Sequence, residues 1–473
     1  MARSMRPDER LIYHVDVNSA YLSWTSVARL AAGESDLRGV PACVGGDPQM
    51  RHGVVLAKSI PAGRFGVRTG EPLAVARRKC PELIVVSPNF ALYHRFSRAF
   101  KAICREYTPA VESFSIDECF LDMTGTRAMA DPAGVARELK DRIRRELGFT
   151  VNVGVGTNKL LAKMAGGFTK PDRVHTLFPE DIPAKLWPLP VGALLFVGKS
   201  AAGKLTRRGI RTVGELAGVE PAVLEAIVGE KNGRALHRRA NGIDDSPVAA
   251  VRAAAKGYSI STTLADNVTD RPRAHRVLKA LADSVTARMR ADGKRATCVG
   301  VHLRTHCFVN RSRQRVLERP TDITAEVERL SKQLLGEVWD GTTPLRLLGI
   351  ALTGITDSRA EQLSLFGDAA REKEQRVDRT IDALRKKFGP DIIARGWFPS
   401  PVLLPDEIGD DDVQAGLRTV RIHVTENRVA CQNAGQNHGV DAHIEPPPSR
   451  RTVTGIPFLS RPSLSSSTRI RAR

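Results

Sequence analysis

Three carboxylic acids carry the clearest signal for chemistry in this sequence. Asp16 stands near the end of a strand-like segment, Leu11–Val17, and Asp117 and Glu118 are neighbours between two apolar stretches. Hard divalent cations prefer carboxylate oxygens, and two such cations about 3.5–4 Å apart can activate a hydroxyl and neutralise phosphate charge. These acids therefore predict a two-metal site for phosphoryl transfer.

The acidic pair needs a particular local structure to work with Asp16. Adjacent residues on a regular strand point to opposite faces of a sheet, so Asp117 and Glu118 can share a site only at a bend or a strand end. Most such pairs are solvated surface groups, but apolar neighbours such as Phe114 and Phe120 favour burial here. We expect a strand on each side of the pair.

Strands and helices alternate up to about residue 178, which predicts a layered α/β or α+β domain. A turn is predicted at Ile60–Gly63. Apolar spacing predicts strands at Gly53–Ser59, Leu83–Val86 and Val151–Gly156, and helices at Tyr93–Tyr107 and Val135–Leu147. Residues 179–241 read as short helices separated by Gly and Pro, with flanking arginines suited to phosphate.

The segment 257–355 reads as strand, helix, strand, strand, helix, strand. Arg311, Arg313 and Arg315 recur at period two and must share one face of their strand. We predict helices on one face of a four-stranded sheet and these arginines on the other, where they bind nucleic acid. A solvated sheet face is the alternative, weakened because like charges so close repel one another.

Composition points to a polyanionic partner. The 473 residues include 72 Lys and Arg against 52 Asp and Glu, a net charge of +20 with a pI near 10.0. Such a balance favours nucleic acid. The sequence shows no apolar run long enough for a membrane span, no secretory signal and no CxxC pair among seven cysteines, so we expect a reduced cytoplasmic protein without a membrane partner.

Three segments resemble the core motifs of Y-family DNA polymerases, the translesion enzymes, most closely the bacterial polymerase IV and UmuC-like group. They are HVDVNSAY (His14–Tyr21), SIDECFLDMTG (Ser115–Gly125) and VNVGVGTNKLLAKMAGGFTKPD (Val151–Asp172). The likeness runs from about residue 11 to 355. It implies an α+β multidomain right hand: palm at 1–17 and 83–178, fingers at 18–82, helical thumb at 179–241, linker at 242–256 and βαββαβ little finger at 257–355.

The resemblance also implies roles for residues near the acids. Asp16 and Asp117 match the metal-ligating aspartates, Glu118 matches the third catalytic carboxylate, and Val17 offers its backbone carbonyl to the metal. Two Mg²⁺ ions are implied, with Mn²⁺ as an alternative. Tyr21 falls where the family has an aromatic steric gate, which would clash with a ribose 2′ hydroxyl; a core aromatic is the other interpretation.

Lys170 matches the lysine that grips the incoming triphosphate as a point charge. The sequence departs from the family pattern elsewhere. Asn18 stands where an aspartate is frequent, and Ile60 and Gly63 replace the fingers Tyr-x-x-Arg that binds triphosphate; Arg64, one residue on, is the expected substitute. In the thumb, FVGKSAAGKL replaces a usual Gly-x-Gly, which predicts an altered phosphate grip at Val197.

After residue 355 the segment QLSLF resembles the bacterial sliding-clamp binding motif. Leu365 and Phe366 would fill an apolar pocket, with Gln362 at its rim and Leu363 beside it. A turn packed on the protein's own surface is the alternative. Residues 356–404 are expected to hold this segment and a charged helix, Arg371–Lys387, and residues 405–473 a disordered tail.

These features together predict a monomeric, low-fidelity translesion DNA polymerase that uses primer-template DNA and deoxynucleoside triphosphates and binds the sliding clamp. A non-catalytic, clamp-bound accessory that recruits another polymerase is one alternative. A basic DNA-binding repair scaffold is another. Retention of all three acids favours catalysis, because unpaired buried acids are costly to keep.

Overall fold

The computed structural model describes residues 4–47, 53–251, 253–357, 369–389 and 392–393. The QLSLF segment, Gln362–Phe366, and the predicted tail 405–473 lie outside these ranges. Among the described helices, none is both long and apolar enough to cross a membrane.

Twelve strands and thirteen α-helices make up the described part of the chain. The strands are β1 Ile12–Val17, β2 Ala42–Gly45, β3 Val55–Lys58, β4 Ile84–Val86, β5 Val111–Ser113, β6 Glu118–Asp122, β7 Val151–Gly156, β8 Val174–Leu177, β9 Gly257–Val268, β10 Lys294–Thr305, β11 Asn310–Thr321 and β12 Leu345–Asp357. The helices are α1 Ala20–Ala31, α2 Ile60–Arg64, α3 Leu73–Lys79, α4 Phe90–Tyr107, α5 Pro132–Leu147, α6 Lys159–Gly166, α7 Lys199–Arg207, α8 Val213–Gly218, α9 Pro221–Val228, α10 Glu230–Ala240, α11 Arg271–Ala291, α12 Thr324–Val338 and α13 Ala369–Phe388.

A five-stranded sheet of order β5-β6-β1-β7-β8 forms the first domain, and β1 lies at its centre. Side chains of β1 alternate, so Tyr13, Val15 and Val17 enter one apolar core with α4 and α5. Phe100 of α4 and Leu139 of α5 are fully buried there. The polar residues of β1 therefore lie on the opposite face, where α6 packs.

Helix α6 approaches this opposite face unusually closely. A Cβ atom on Gly154 of β7 would lie 1.9 Å from the carbonyl oxygen of Ala162 and 2.3 Å from the backbone nitrogen of Gly166. Only glycine fits such a contact, because backbone atoms cannot move aside as a flexible side chain can. The helix is thereby seated directly over the strands that carry the acids.

The segment that the sequence predicts as a turn follows β3 in the three-stranded sheet β3-β2-β4. That prediction is wrong, because Ile60–Arg64 forms helix α2. The Oγ of Ser59 accepts a hydrogen bond from the backbone nitrogen of Ala62 (3.1 Å), and Pro61 occupies the first turn, where its missing N–H is not needed.

Helices α7 to α10 form the predicted helical segment, and their buried side chains share one apolar core with α6 and β8 of the first domain. At the altered Gly-x-Gly, the unusual backbone conformation falls on Phe196, next to Val197. Phe196 has φ 71°, in the left-handed region, with its side chain about half exposed under the guanidinium of Arg239, 4.5 Å from the ring centre. Val197 is packed in the core of this helical segment.

The order strand, helix, strand, strand, helix, strand over 257–355 is confirmed, and these strands form one sheet in the order β11-β10-β12-β9. Helices α11 and α12 cover one face. Helix α13 then packs back on this domain through ion pairs with it. These pairs are Arg290–Asp382 (2.6 Å), Arg385–Asp283 (2.7 Å) and Arg371–Glu326 (2.8 Å).

The predicted face of the three arginines is wrong. Residues directly opposite in an antiparallel pair share a face, and β10 presents Val299, Val301 and Leu303 opposite Arg315, Arg313 and Arg311. Those apolar residues lie in the core beneath the helices. The arginines do share a face, as period two requires, but it is the face that carries α11 and α12.

At the sheet edge the arginines reach past the end of α12. Arg313 donates to the carboxylate of Glu337 (2.9 Å), Arg315 contacts the same carboxylate, and Arg311 donates to the carbonyl of Val338 (3.2 Å). All three remain exposed. A polyanion would therefore compete with Glu337 for two of them.

The predicted linker 242–256 is attached to the first domain over its first half. The backbone nitrogen of Ala249 donates to Glu112 (2.8 Å), whose carboxylate also pairs with Lys159 of α6 (2.6 Å). Val248 packs against Ile12 and Phe120. The segment between the thumb-like helices and the four-stranded sheet is thus in contact with the first domain at Val248 and Ala249.

Candidate active site

The strand register brings the predicted acids together. Asp16 of β1 is directly opposite Glu118 of β6 on one side and Asn152 of β7 on the other. These three side chains therefore share the face under α6. Asp117 immediately precedes β6, and its carbonyl accepts a hydrogen bond from the backbone nitrogen of Val17 (3.0 Å). The acidic pair stands at a strand end, as a shared site requires.

The carboxylate of Asp117 is held by a hydrogen bond from the preceding residues of its own loop. The Oγ of Ser115 donates to its carboxylate (2.6 Å), and Lys101 of α4 donates to the Ser115 carbonyl (2.6 Å). Burial raises the pKa of Asp117, and the negative charges of Glu118 and Asp16 raise it further. A cation at this point would relieve that repulsion.

Glu118 is fixed by two residues that sequence reasoning missed. Oε2 of its carboxylate accepts a hydrogen bond from Nε2 of His14 (2.9 Å) and also contacts the ammonium of Lys163 on α6. Burial would raise the pKa of Glu118, but the His14 hydrogen bond and the Lys163 charge outweigh it and lower this pKa to about 2. Burial lowers the pKa of His14, and the hydrogen bond to Glu118 opposes this.

Lys170 forms an ion pair with Asp16, which places the predicted triphosphate lysine beside the predicted metal ligand. Asp16 and Glu118 thus each have a lysine partner. Within the described ranges, no three His, Cys, Asp or Glu side chains lie close enough together to enclose an ion. The donor set nevertheless suits a hard divalent cation, because it consists of carboxylates. Burial, and then the negative charges of Glu118 and Asp16, raise the pKa of Asp117, so a cation would stabilise its ionised form.

Tyr21, in the first turn of α1, is held in an aromatic cluster. Its ring stacks on Tyr93 with centres 4.5 Å apart and planes 13° apart, and it meets Phe90 edge-on at 6.0 Å. The Thr25 hydroxyl bonds both the Tyr21 carbonyl (2.7 Å) and the Tyr93 hydroxyl (3.0 Å). A ring supported in this way can act as a rigid steric boundary.

The structure does not bring Arg64 to the acids. It ends helix α2, its side chain is exposed, and it makes no ion pair or hydrogen bond within the described part of the chain. Lys58 on β3 is a second cation that sequence reasoning missed. Its ammonium lies 2.6 Å from the point where a Gly63 Cβ would stand, so it fills space beside the position where the family has arginine.

The fold and the acidic face are those of a nucleotide-polymerising enzyme of the Y-family class. A sequence model of the impB/mucB/samB family matches residues 15–167, the C-terminal domain of the same family matches residues 255–365, and a DNA polymerase-iota thumb domain matches residues 195–244.

Curated relatives agree along most of the chain. DNA polymerase IV of Clostridium acetobutylicum is 42% identical over 387 residues, covering 82% of this chain and 97% of the relative. DNA polymerase IV of Pelotomaculum thermopropionicum is 38% identical over 400 residues, covering 84% and 97%. DNA polymerase IV 1 of Bacillus subtilis is 36% identical over 390 residues, covering 82% and 92%.

Among solved structures, a Y-family DNA polymerase chimera, Dbh-Dpo4(243-245)-Dbh, matches with a TM-score of 0.64 at 21% identity, covering 73% of this chain and 99% of the chimera. That likeness shows the fold. The chain belongs to the impB/mucB/samB family of Y-family DNA polymerases.

Proposed function

We propose that this protein is a template-directed DNA polymerase that adds deoxynucleotides to a primer 3′ end and copies damaged templates with low fidelity. The observation that carries the proposal is the row Glu118–Asp16 across β6 and β1, with Asp117 at the strand end and Lys170 paired to Asp16. The relatives that match along more than four-fifths of the chain are named as polymerases, which favours catalysis over a recruiting role.

Asp16, Asp117, Glu118 and the Val17 carbonyl would hold two Mg²⁺ ions, with Mn²⁺ as the alternative. When bound, such ions activate the primer hydroxyl and neutralise the triphosphate charge. The chain's own part is to keep the ligands ionised and in place. His14 and Lys163 do so for Glu118 by binding one oxygen of its carboxylate, which leaves the other oxygen for a ligand.

Lys170 would bind the incoming triphosphate, exchanging its contact with Asp16 for one with phosphate. On the fingers side we assign supporting roles to Lys58, beside Gly63, and to Arg64, at the end of α2. If this assignment is correct, Lys58→Met raises the KM for nucleotide more than Arg64→Met does. A KM in Lys58→Met equal to that of the unaltered protein would remove Lys58 from the site.

Tyr21 would exclude ribonucleotides, because its ring is braced by Tyr93 and cannot yield to a 2′ hydroxyl. The domains predicted from sequence supply the rest of the hand: palm, fingers, thumb and little finger. DNA would lie against the basic thumb helices and the sheet domain, with Arg311, Arg313 and Arg315 reaching phosphate from the sheet edge. Acting on DNA, the protein would work in the cytoplasm.

Clamp binding through Gln362, Leu363, Leu365 and Phe366, and a monomeric state, complete the proposal. The clamp motif is supported by its sequence and by its place between the sheet domain and helix α13. A ring-bound tether raises the effective concentration of a polymerase at its primer.

Primer extension with Mg²⁺ and deoxynucleotides tests the polymerase assignment. Asp117→Asn and Glu118→Gln remove charge without changing side-chain size. Because metal ligation supplies several kcal/mol of transition-state stabilisation, we expect extension to fall by about a hundredfold or more. DNA binding, measured by fluorescence anisotropy, should change little, since Lys and Arg elsewhere hold the duplex.

The matched control is Asp122→Asn, at the far end of β6, which should extend primers normally. No extension by the unaltered chain would favour the recruiting alternative. Extension by both acidic-site variants at more than a few per cent of the control's rate would refute the two-metal assignment.

A further inference from the structure

Two buried asparagine side chains join the strand that carries Asp16 to the loop that carries Lys170. Asn18 directly follows β1 and is 7% exposed; Asn152 lies on β7 opposite Asp16 and is fully buried. A buried primary amide has two donors and one acceptor oxygen, and each must find a partner. Their partners therefore show what these residues do.

Asn152 satisfies all of its hydrogen-bonding groups. Its Nδ2 donates to the carbonyls of Gly166 (3.1 Å) and Thr169 (2.7 Å). Its Oδ1 accepts from Nδ2 of Asn18 (3.1 Å) and from the backbone nitrogen of Arg173 (3.3 Å). The amide cannot be turned over without breaking these bonds, so its orientation is fixed by the loop around it.

Asn18 completes the connection. Its Oδ1 accepts from the backbone nitrogen of Asp172 (2.9 Å). The two amides thus hold the backbone of the loop at four points, two before Lys170 and two after it. The carboxylate of Asp172 is in turn held by Lys140 (2.8 Å) and Arg144 (3.0 Å) of α5.

We propose that the Asn18–Asn152 pair is the device that positions Lys170 for the incoming triphosphate. The inference rests on the proposed role of Lys170 as a triphosphate ligand. The two asparagines are positioning residues, because they act through the loop backbone and do not themselves reach the Lys170 ammonium. Asn18 supplies the side-chain donor to Oδ1 of Asn152, whose other donor is the backbone nitrogen of Arg173.

The isosteric variant Asn18→Asp tests the direction of the Asn18–Asn152 hydrogen bond without changing volume. An aspartate can still accept from Asp172 N–H, but its second oxygen would face Oδ1 of Asn152 with no proton between them. Asn152 must then either tolerate that repulsion or turn over and lose its bonds to Gly166 and Thr169. Either response releases the loop that carries Lys170.

We expect Asn18→Asp to raise the KM for deoxynucleotide roughly tenfold, as the loss of one buried hydrogen bond suggests, with kcat reduced less than about threefold. The matched control is Asn158→Asp, because Asn158 caps α6 and donates to Gly242 but makes no bond to the loop. It should keep the KM of the unaltered protein. If Asn18→Asp does not fold, Asn18→Ala removes both bonds without adding charge.

A second background shows whether the effect passes through Lys170. Lys170→Met alone should raise the KM for deoxynucleotide. Adding Asn18→Asp to Lys170→Met should change that KM less than about twofold, because the effects of coupled residues are not additive. A full tenfold rise in that background would overturn the positioning role and indicate general disruption. If Lys170→Met raises KM and Asn18→Asp does not, the inference alone fails. If Lys170→Met leaves KM unchanged, the triphosphate role of Lys170 fails and takes this inference with it.

Discussion

The contacts of Glu118 make the stability of the first domain depend on pH, and a substitution of Glu118 can measure its share of this dependence. His14 and Lys163 lower the pKa of this carboxylate from its ordinary 4.5 to about 2. A difference of about 2.5 pKa units corresponds to about 3 kcal/mol of stability, as an order of magnitude. The side chain is only one-fifth exposed, so solvent screens little of this.

The sign follows from the lowered pKa. The ionised carboxylate binds fewer protons in the folded state than in the unfolded state, so its contribution is fully present above pH 4.5 and is lost as the pH falls toward 2. Glu118 should account for a loss of about 1 kcal/mol by pH 4 and about 2 kcal/mol by pH 3. Glu118→Gln removes this part of the decline.

Urea unfolding in EDTA at several pH values between 7 and 3 measures the stability that Glu118 contributes at each pH. Hydrogen exchange of a peptide spanning β6, followed by mass spectrometry, restricts the measurement to opening of the five-stranded sheet. Glu374→Gln, at an exposed position of helix α13, serves as the control and should follow the unaltered protein. If Glu118→Gln loses as much stability on acidification as the control, the argument from His14 and Lys163 is refuted.

Three further predictions concern substrate, DNA and clamp. Tyr21→Ala should weaken discrimination against ribonucleotides by about tenfold to a hundredfold in single-nucleotide incorporation, and unchanged discrimination would show that the ring is not the gate. Replacing all three sheet-edge arginines by Ala should reduce the salt dependence of DNA binding by up to about three in slope, and an unchanged slope would place DNA elsewhere. The residues replaced are Arg311, Arg313 and Arg315. The double variant Leu365→Ala, Phe366→Ala should extend primers normally without the clamp but should lose stimulation by the clamp. Titration of a peptide spanning residues 361–367 against the clamp is the direct test. No binding at millimolar peptide would favour the self-packed turn.

Local patterns predicted much of the fold. Val151–Gly156 has the bounds that the sequence indicates, and the predicted Leu11–Val17 begins one residue before β1. The strand and helix order of the sheet domain also follows from periodicity. These elements are recognisable because their apolar spacing, glycines and prolines act within a few residues of each other.

The errors arise where contacts between distant parts of the chain determine which way a side chain faces and what it meets. Period two shows that Arg311, Arg313 and Arg315 share a face, but which face depends on the apolar residues of β10 that pair with them. Lys163 meets Glu118 only because α6 packs on the sheet, and His14 meets it because β1 pairs with β6. Asn18 is visible in the sequence as a departure from the family, yet its purpose appears only once Asn152 is placed beside it.

The close seating of α6 on β7 also limits how this site can change during evolution. With 1.9 Å between a Gly154 Cβ and the Ala162 carbonyl, any side chain at Gly154 would clash with the backbone of α6, the helix that bears Lys163. The spacing between α6 and β7, on which the contact of Lys163 with Glu118 depends, therefore cannot change in small steps through substitutions at Gly154. Descendants of this protein that tune their active-site electrostatics must do so by exchanging the charged side chains themselves, while the glycine stays.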